Sequence, residues 1–94
     1  MKTNTDCTII HADGSTTYVS ACMWQDIEGI EVKKYGAENA DSAAIYIPDT
    51  SIAVEKGDSI AKGKGTDIHN ALLVTSVSYK NYSASINHIQ IGAK

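Results

Sequence analysis

The sequence predicts an all-β fold: about eight short, mainly antiparallel strands forming a small barrel or sandwich. Three observations point there. Runs rich in Ile, Val, Thr and Tyr are short; Gly, Asn and Asp interrupt them at close spacing; and no segment sustains a helical period. With 94 residues there is room for one domain and one core, taken as residues 1–94. A chain this size buries roughly 60–65% of the surface its unfolded form exposes.

Thr5 to His11 reads as the first strand. Asp13-Gly14 supplies a tight hairpin signal, because glycine enters positive φ without steric cost. Thr17 to Trp24 is the return strand, with Tyr18, Ser20, Cys22 and Trp24 on one face and Val19, Ala21 and Met23 on the other. Apolar groups on both faces predict cover on both sides. Ile27 to Lys34 follows, with Ile30 and Val32 opposite Glu31 and Lys33.

Tyr35 to Ser42 is polar and reads as a connecting loop. Ala43 to Pro48 is a strand with Ile45 and Ile47 on one face and Tyr46 on the other. Proline cannot donate to a ladder, so Pro48 marks its end or an exposed edge. Ser51 to Glu55 and Ser59 to Lys62 are short strands about the Lys56-Gly57-Asp58 turn, and Gly63-Lys64-Gly65 is a flexible break. Ala71 to Tyr79 is the most strand-like segment, with Leu73 and Val77 opposite Leu72, Val74 and Ser76. Lys80-Asn81-Tyr82 turns the chain into a last strand, Ser85 to Ile91, in which Ile89 and Ile91 face together.

Composition narrows the function classes. The chain is 43% hydrophobic and 20% charged, with no Phe and one Trp. Ile, Val, Leu, Met and Tyr must therefore fill the core, and self-association is one way to add burial. The net charge of −3 argues against a nucleic-acid binder, which shows a basic excess clustered on one face. Met1 to Asp6 is polar and no apolar run approaches the ~20 residues of a membrane span, so the chain reads as cytosolic at synthesis. Cys7 and Cys22 read as free thiols packed as small hydrophobes in a reducing compartment. A disulfide is the alternative, should a hairpin centred between Gly14 and Ser15 set them face to face.

Catalytic and metal-binding chemistry find little support. Cys7 and His11 share a strand face, but a C-x3-H spacing in a strand separates them by about 13–14 Å, too far to share a metal. No serine or cysteine sits in a G-x-S-x-G turn. Asp26 with Glu28, and Glu38 with Asp41, read as solvated carboxylates. Lys56, Lys62 and Lys64 alternate with Gly57, Gly63 and Gly65 but lack the order of a phosphate-binding loop. The expectation is no enzyme, no catalytic residue, no metal and no cofactor. Trp24 and the five tyrosines are candidate interface anchors, Trp24 being equally a core candidate.

Three stretches carry a resemblance. "AAIYIPD", "VEKGDSIAKGKGTDI" and "LLVTSVSYKNYSASINHIQIGAK" follow one another in the order Ile47-Pro48, Lys56-Gly57-Asp58, Ile60 to Gly63, Val74 to Val77, His88, and Gly92 to Lys94. The opening "CTIIHADGSTTYVSACMW" with "IEGIEVKK" is similar as a first hairpin followed by a strand. In this order the chain resembles small phage and prophage minor capsid or head–tail connector (neck) proteins. The resemblance implies a β-barrel or β-sandwich subunit that forms a ring between portal and tail, contacting portal and other neck or tail proteins. It also implies assembly in the host cytoplasm, residence in the mature virion, and a monomer before assembly.

The loops Tyr35 to Ser42 and Lys62 to Asn70 are the expected contact segments, with Tyr35, Glu38, Asn39, Lys62, Lys64 and Asp67 as candidate protein-interaction residues. A small β-barrel binding module for a peptide or nucleic acid is the competing reading; the nucleic-acid form predicts an exposed aromatic platform beside a basic groove.

Overall fold

Asp13-Gly14 turns the chain back on itself as the sequence predicts. Gly14 sits at φ +90°, its N–H reaches the His11 carbonyl at 2.9 Å, and the His11 N–H meets the Ser15 carbonyl at 2.8 Å. The computed structural model describes residues 2–27, 42–65, 70–80 and 87–94. Among them are six strands: β1 (Thr5–Ile10), β2 (Thr16–Asp26), β3 (Ala43–Ile47), β4 (Ser59–Lys62), β5 (Leu72–Lys80) and β6 (His88–Ala93). They close into a barrel in the order β1-β2-β3-β6-β5-β4, with β4 returning to β1. Every ladder is antiparallel, and β6 lies between β3 and β5 in a Greek-key arrangement. The expected all-β barrel is thus present with six described strands in place of about eight.

Antiparallel alternation sorts the connections between two ends. One end collects both chain termini and the β2–β3 and β4–β5 connections, and is called the loop end below. The other collects the β1–β2 turn, the β3–β4 connection and the β5–β6 connection. β3 and β4 stand opposite in the ring of six, so residues 48–58 must cross that end, which is called the crossover end. The crossing explains why Ser51 to Glu55 is not the strand its alternation suggested. Ile52 and Val54 do turn inward, Val54 buried and Ile52 packed against the core, but closure leaves them no ladder to join. Ile27 to Lys34 lies, beyond Ile27, outside the described residues, as do positions 81–86 with the start of the expected last strand.

Six-strand closure leaves an interior just wide enough for side chains, and β-branched residues suit a pleated wall. Ile9, Ile45, Ile47, Ile60, Ile89 and Ile91 fill it and are wholly buried. Ile45 pairs with Ile91, Ile47 with Ile89, and at the loop end the small pair Ala43 and Ala93 continues the same inner stripe. Trp24, 7% exposed, belongs to this core.

Two bulges decide which side chains face inward. Thr5 pairs with Cys22 but Cys7 pairs with Val19, so β2 carries one residue more than β1 across this step. Ser20 and Ala21 absorb it, and the inward set becomes Val19, Cys22 and Trp24. That overturns the expected faces, in which Val19 opposed Cys22 and Trp24. The same device recurs in β5: Val74 pairs with Ala93 and Ser76 with Gly92. Leu72, Val74 and Val77 therefore pack inward, while Leu73 is left 49% exposed. A bulge shifts a period-two pattern by one residue and bends the strand; small barrels need such bends to close.

Candidate interaction surface

At the loop end the β2–β3 connection is tied at its base. The Ile27 N–H donates to the Ser42 carbonyl at 2.9 Å, and the Ser42 N–H donates to the Ala93 carbonyl at 2.7 Å. The amide of Asn4 acts as an extra rung between β1 and β2. Its Nδ2 donates to the Trp24 carbonyl at 3.0 Å and its Oδ1 accepts from the Trp24 N–H at 2.9 Å. The Trp24 indole N–H reaches Asp26 at 3.1 Å.

The β4–β5 connection starts under equally specific contacts. Gly63, at φ +85°, adopts a backbone that an L side chain resists, and its N–H donates to the Asp6 carbonyl at 3.1 Å. The buried Thr8 hydroxyl, only 3% of the residue being exposed, lies beneath this segment. It donates to the Gly63 carbonyl at 2.8 Å and accepts from the Gly65 N–H at 3.3 Å.

Lysines press the segment onto aromatic rings. Lys62 Nζ lies 5.5 Å from the centre of the Trp24 ring and 3.6 Å from Asp26. Lys64 Nζ lies 5.4 Å from the centre of the Tyr18 ring, whose hydroxyl donates to Asp6 at 2.6 Å. The Asp6 bond pushes the Tyr18 phenol above its ordinary pKa. Such pairs are worth about 0.5–1 kcal/mol each at exposed sites, so they orient the lysines without immobilising them.

Two of the six candidate interaction residues are described: Lys62 closes β4 beside Trp24, and Lys64, in the connection that follows, lies over Tyr18. Tyr35, Glu38, Asn39 and Asp67 lie outside the described residues. The strands that flank their loops nevertheless bring both loop bases to the same end of the barrel.

The crossover end is built differently. Asp58, 5% exposed, ends the β3–β4 crossing, and its Oδ2 accepts from the Glu55 N–H at 3.0 Å and contacts His11 Nδ1 at 3.0 Å. A carboxylate only accepts, so Nδ1 carries the proton and, in the neutral imidazole, Nε2 accepts from the Thr17 hydroxyl at 2.7 Å. Tyr79 adds a third tie: its hydroxyl donates to the Ile52 carbonyl at 2.9 Å and receives the Val54 N–H at 3.4 Å.

Hydroxyl, imidazole and carboxylate in line have the order of a nucleophile, base and orienting acid. An open cleft of about 420 Å³ lies beside them, lined by His11, Asp13, Ser15, Val54, Glu55 and Asp58 among others. Thr17 is not part of that lining, and the three side chains clasp the hairpin to the crossing. Sequence reasoning missed this clasp. His11 and Asp58 are 47 positions apart, and only the topology joins them. Among the described residues no group of three or more His, Cys, Asp or Glu is placed to hold a metal ion, and no helix is long and apolar enough to cross a membrane.

The wall opposite β1, formed by β3, β6 and β5, is poor in charge. A shallow groove of about 350 Å³ runs over Ala44, Tyr46, Ser76, Ser78, Gln90 and Gly92, with Lys80 at its side. Tyr46 and His88 pack ring against ring at 5.9 Å.

A model for a family of unknown function, DUF6751, matches residues 2–94. The chain belongs to that family. No curated protein and no solved structure matches it. For this DUF6751 member, then, function must be argued from the barrel itself: a closed wall, one clasped end, and one end from which two connections emerge.

Proposed function

We propose that this chain is a virion structural protein, a head–tail connector (neck or minor capsid) subunit of a phage or prophage that assembles into a ring between portal and tail. The observation that carries the reading is the convergence of the β2–β3 and β4–β5 connections at one end of a closed barrel. Closure removes free strand edges among the described strands, so association must use connections and side-chain faces instead of strand addition. A ring requires different, complementary patches on each subunit. The loop end, with Lys62 and Lys64, offers one, and a wall or the crossover end supplies the other. The resemblance carried by Ile47-Pro48, Lys56-Gly57-Asp58 and the terminal strand supports the same assignment.

The competing module for a peptide or nucleic acid draws less support. Trp24 is buried, Lys62 is paired with Asp26, and Tyr18 is a single exposed ring whose hydroxyl is already engaged. The deciding experiment mixes the purified chain with the portal and the neighbouring neck proteins from its own gene cluster, read by mass photometry and cryo-EM. The expected result is a ring joined to the portal, lost in a Lys62→Glu, Lys64→Glu double variant whose circular dichroism matches the wild type. A chain that stays monomeric and binds none of these proteins would overturn the assignment in favour of the binding module.

A further inference from the structure

The β2 bulge has a chemical consequence inside the barrel. Without it, Cys22 would point away from Val19's side of the wall. With it, Cys7 of β1 and Cys22 of β2 both point into the core, and both are wholly buried. Both are free thiols, and each is close enough to shift the other's titration. They are diagonal neighbours, not the directly opposed pair that a hairpin centred between Gly14 and Ser15 would give. We infer that Cys7 and Cys22 are a modification site: a two-electron thiol oxidant closes them into an intramolecular disulfide between β1 and β2.

The neighbouring Cys22 thiol and burial push the Cys7 thiol up, while the Cys7 thiol draws the Cys22 thiol down. Cys22 is therefore the first thiolate. With a diazene oxidant such as diamide, the Cys22 sulfur adds to the N=N bond and its partner nitrogen takes a proton. The Cys7 sulfur then attacks Cys22, the S–N bond breaks, and the hydrazine leaves with the second proton. Two S–H bonds are lost, one S–S bond forms, and the diazene is reduced by two electrons.

A diagonal pair lies just beyond the usual Cα separation for a disulfide, so closing the bond requires the two strands to shift. The bulge supplies the required give, because Ser20 and Ala21 share the single position opposite Asp6 and interrupt the ladder there. The oxidant reaches the pair only when β1 and β2 part locally, so the reaction is slower than at an exposed thiol.

The test is diamide treatment of the folded wild-type chain, an acid quench, alkylation with N-ethylmaleimide in denaturant, and intact-mass analysis. The expected product is a monomer lighter by two hydrogens that takes up no maleimide, with a peptide map joining residues 7 and 22 and a higher Tm than the reduced form. The Cys7→Ser and Cys22→Ser variants each keep one alkylatable thiol and form no internal link. Should the folded protein still take up two maleimides while the same chain oxidises in guanidinium, or should oxidation give only covalent dimers, the inference fails. None of these readouts involves the portal or a ring, so they decide the thiol pair independently of the connector assignment.

Discussion

The two ends of this barrel are closed by opposite means. At the crossover end, a buried carboxylate binds an imidazole and a backbone N–H from two distant segments, and the imidazole in turn accepts from a hydroxyl, with Ile52 and Val54 packed beneath. At the loop end the ties are backbone rungs, one buried hydroxyl, and lysines lying over rings at more than 5 Å. The first arrangement is expensive to break, because a largely buried carboxylate that loses its partners forfeits its desolvation cost. The second fixes where the connections leave the barrel while keeping the lysines free to exchange partners. The proposed ring subunit would use both: a rigid end that holds the wall closed and a second end that can trade internal contacts for external ones.

The largest expected effect follows from removing the centre of the clasp. Asp58→Ala leaves the Glu55 N–H and the His11 Nδ1–H without their acceptor, and should cost about 2–4 kcal/mol by urea unfolding. Thr17→Val, which removes only the outermost bond, should cost about 1 kcal/mol. If Asp58→Ala costs no more than Thr17→Val, the clasp is not a cooperative unit and the contrast between the ends disappears.

A smaller effect is expected at the other end. Thr8→Val keeps the shape beneath residues 63–65 but strips the Gly63 carbonyl and the Gly65 N–H of their shared hydroxyl. We expect a loss of about 1 kcal/mol together with faster amide exchange at positions 63–65, while the crossover end exchanges as before. Uniform acceleration across both ends would mean that they open together, and that the loop end has no independent freedom to spend on a partner.

How much of this was legible follows from the same contrast. β3 and β6 were readable because their alternation is unbroken: Ile45 and Ile47, Ile89 and Ile91 keep a strict period of two and all four are buried. β2 was not, because the inward set Val19, Cys22, Trp24 steps first by three and then by two. Both faces of that run carry apolar residues, so pattern alone had no means of choosing the phase. The step of three from Val74 to Val77 left the same trace in β5, and in hindsight such a step inside a strand is the sequence signal of a bulge. Ser51 to Glu55 misled for a different reason. Ile52 and Val54 alternate because they plug the barrel, a burial demand that looks like a strand but makes no ladder. The His11–Asp58–Thr17 clasp left no local signal, since a contact across 47 positions exists only after the crossing has been made.

The smallest effect concerns acid, and it sharpens the comparison from the crossover side. Asp13 and Asp49 both sit at that end, each accepting the N–H and the hydroxyl of a serine two residues on, Ser15 and Ser51. Those bonds hold both carboxyls below the ordinary aspartate range. A folded pKa below the unfolded one gives stability that is fully present above the unfolded value, about 4. That stability drains away as pH falls through the folded value. Both groups are fully solvent-exposed, so the contribution is small and screened by salt. The Asp13→Asn, Asp49→Asn double variant keeps an acceptor for each backbone N–H but cannot titrate. Its urea midpoint should therefore fall less than the wild type's between pH 5 and pH 2.5, and the difference should shrink in high salt. Parallel midpoint curves would mean that the two turns persist in the unfolded chain, and that acid opens the barrel from somewhere other than its clasped end.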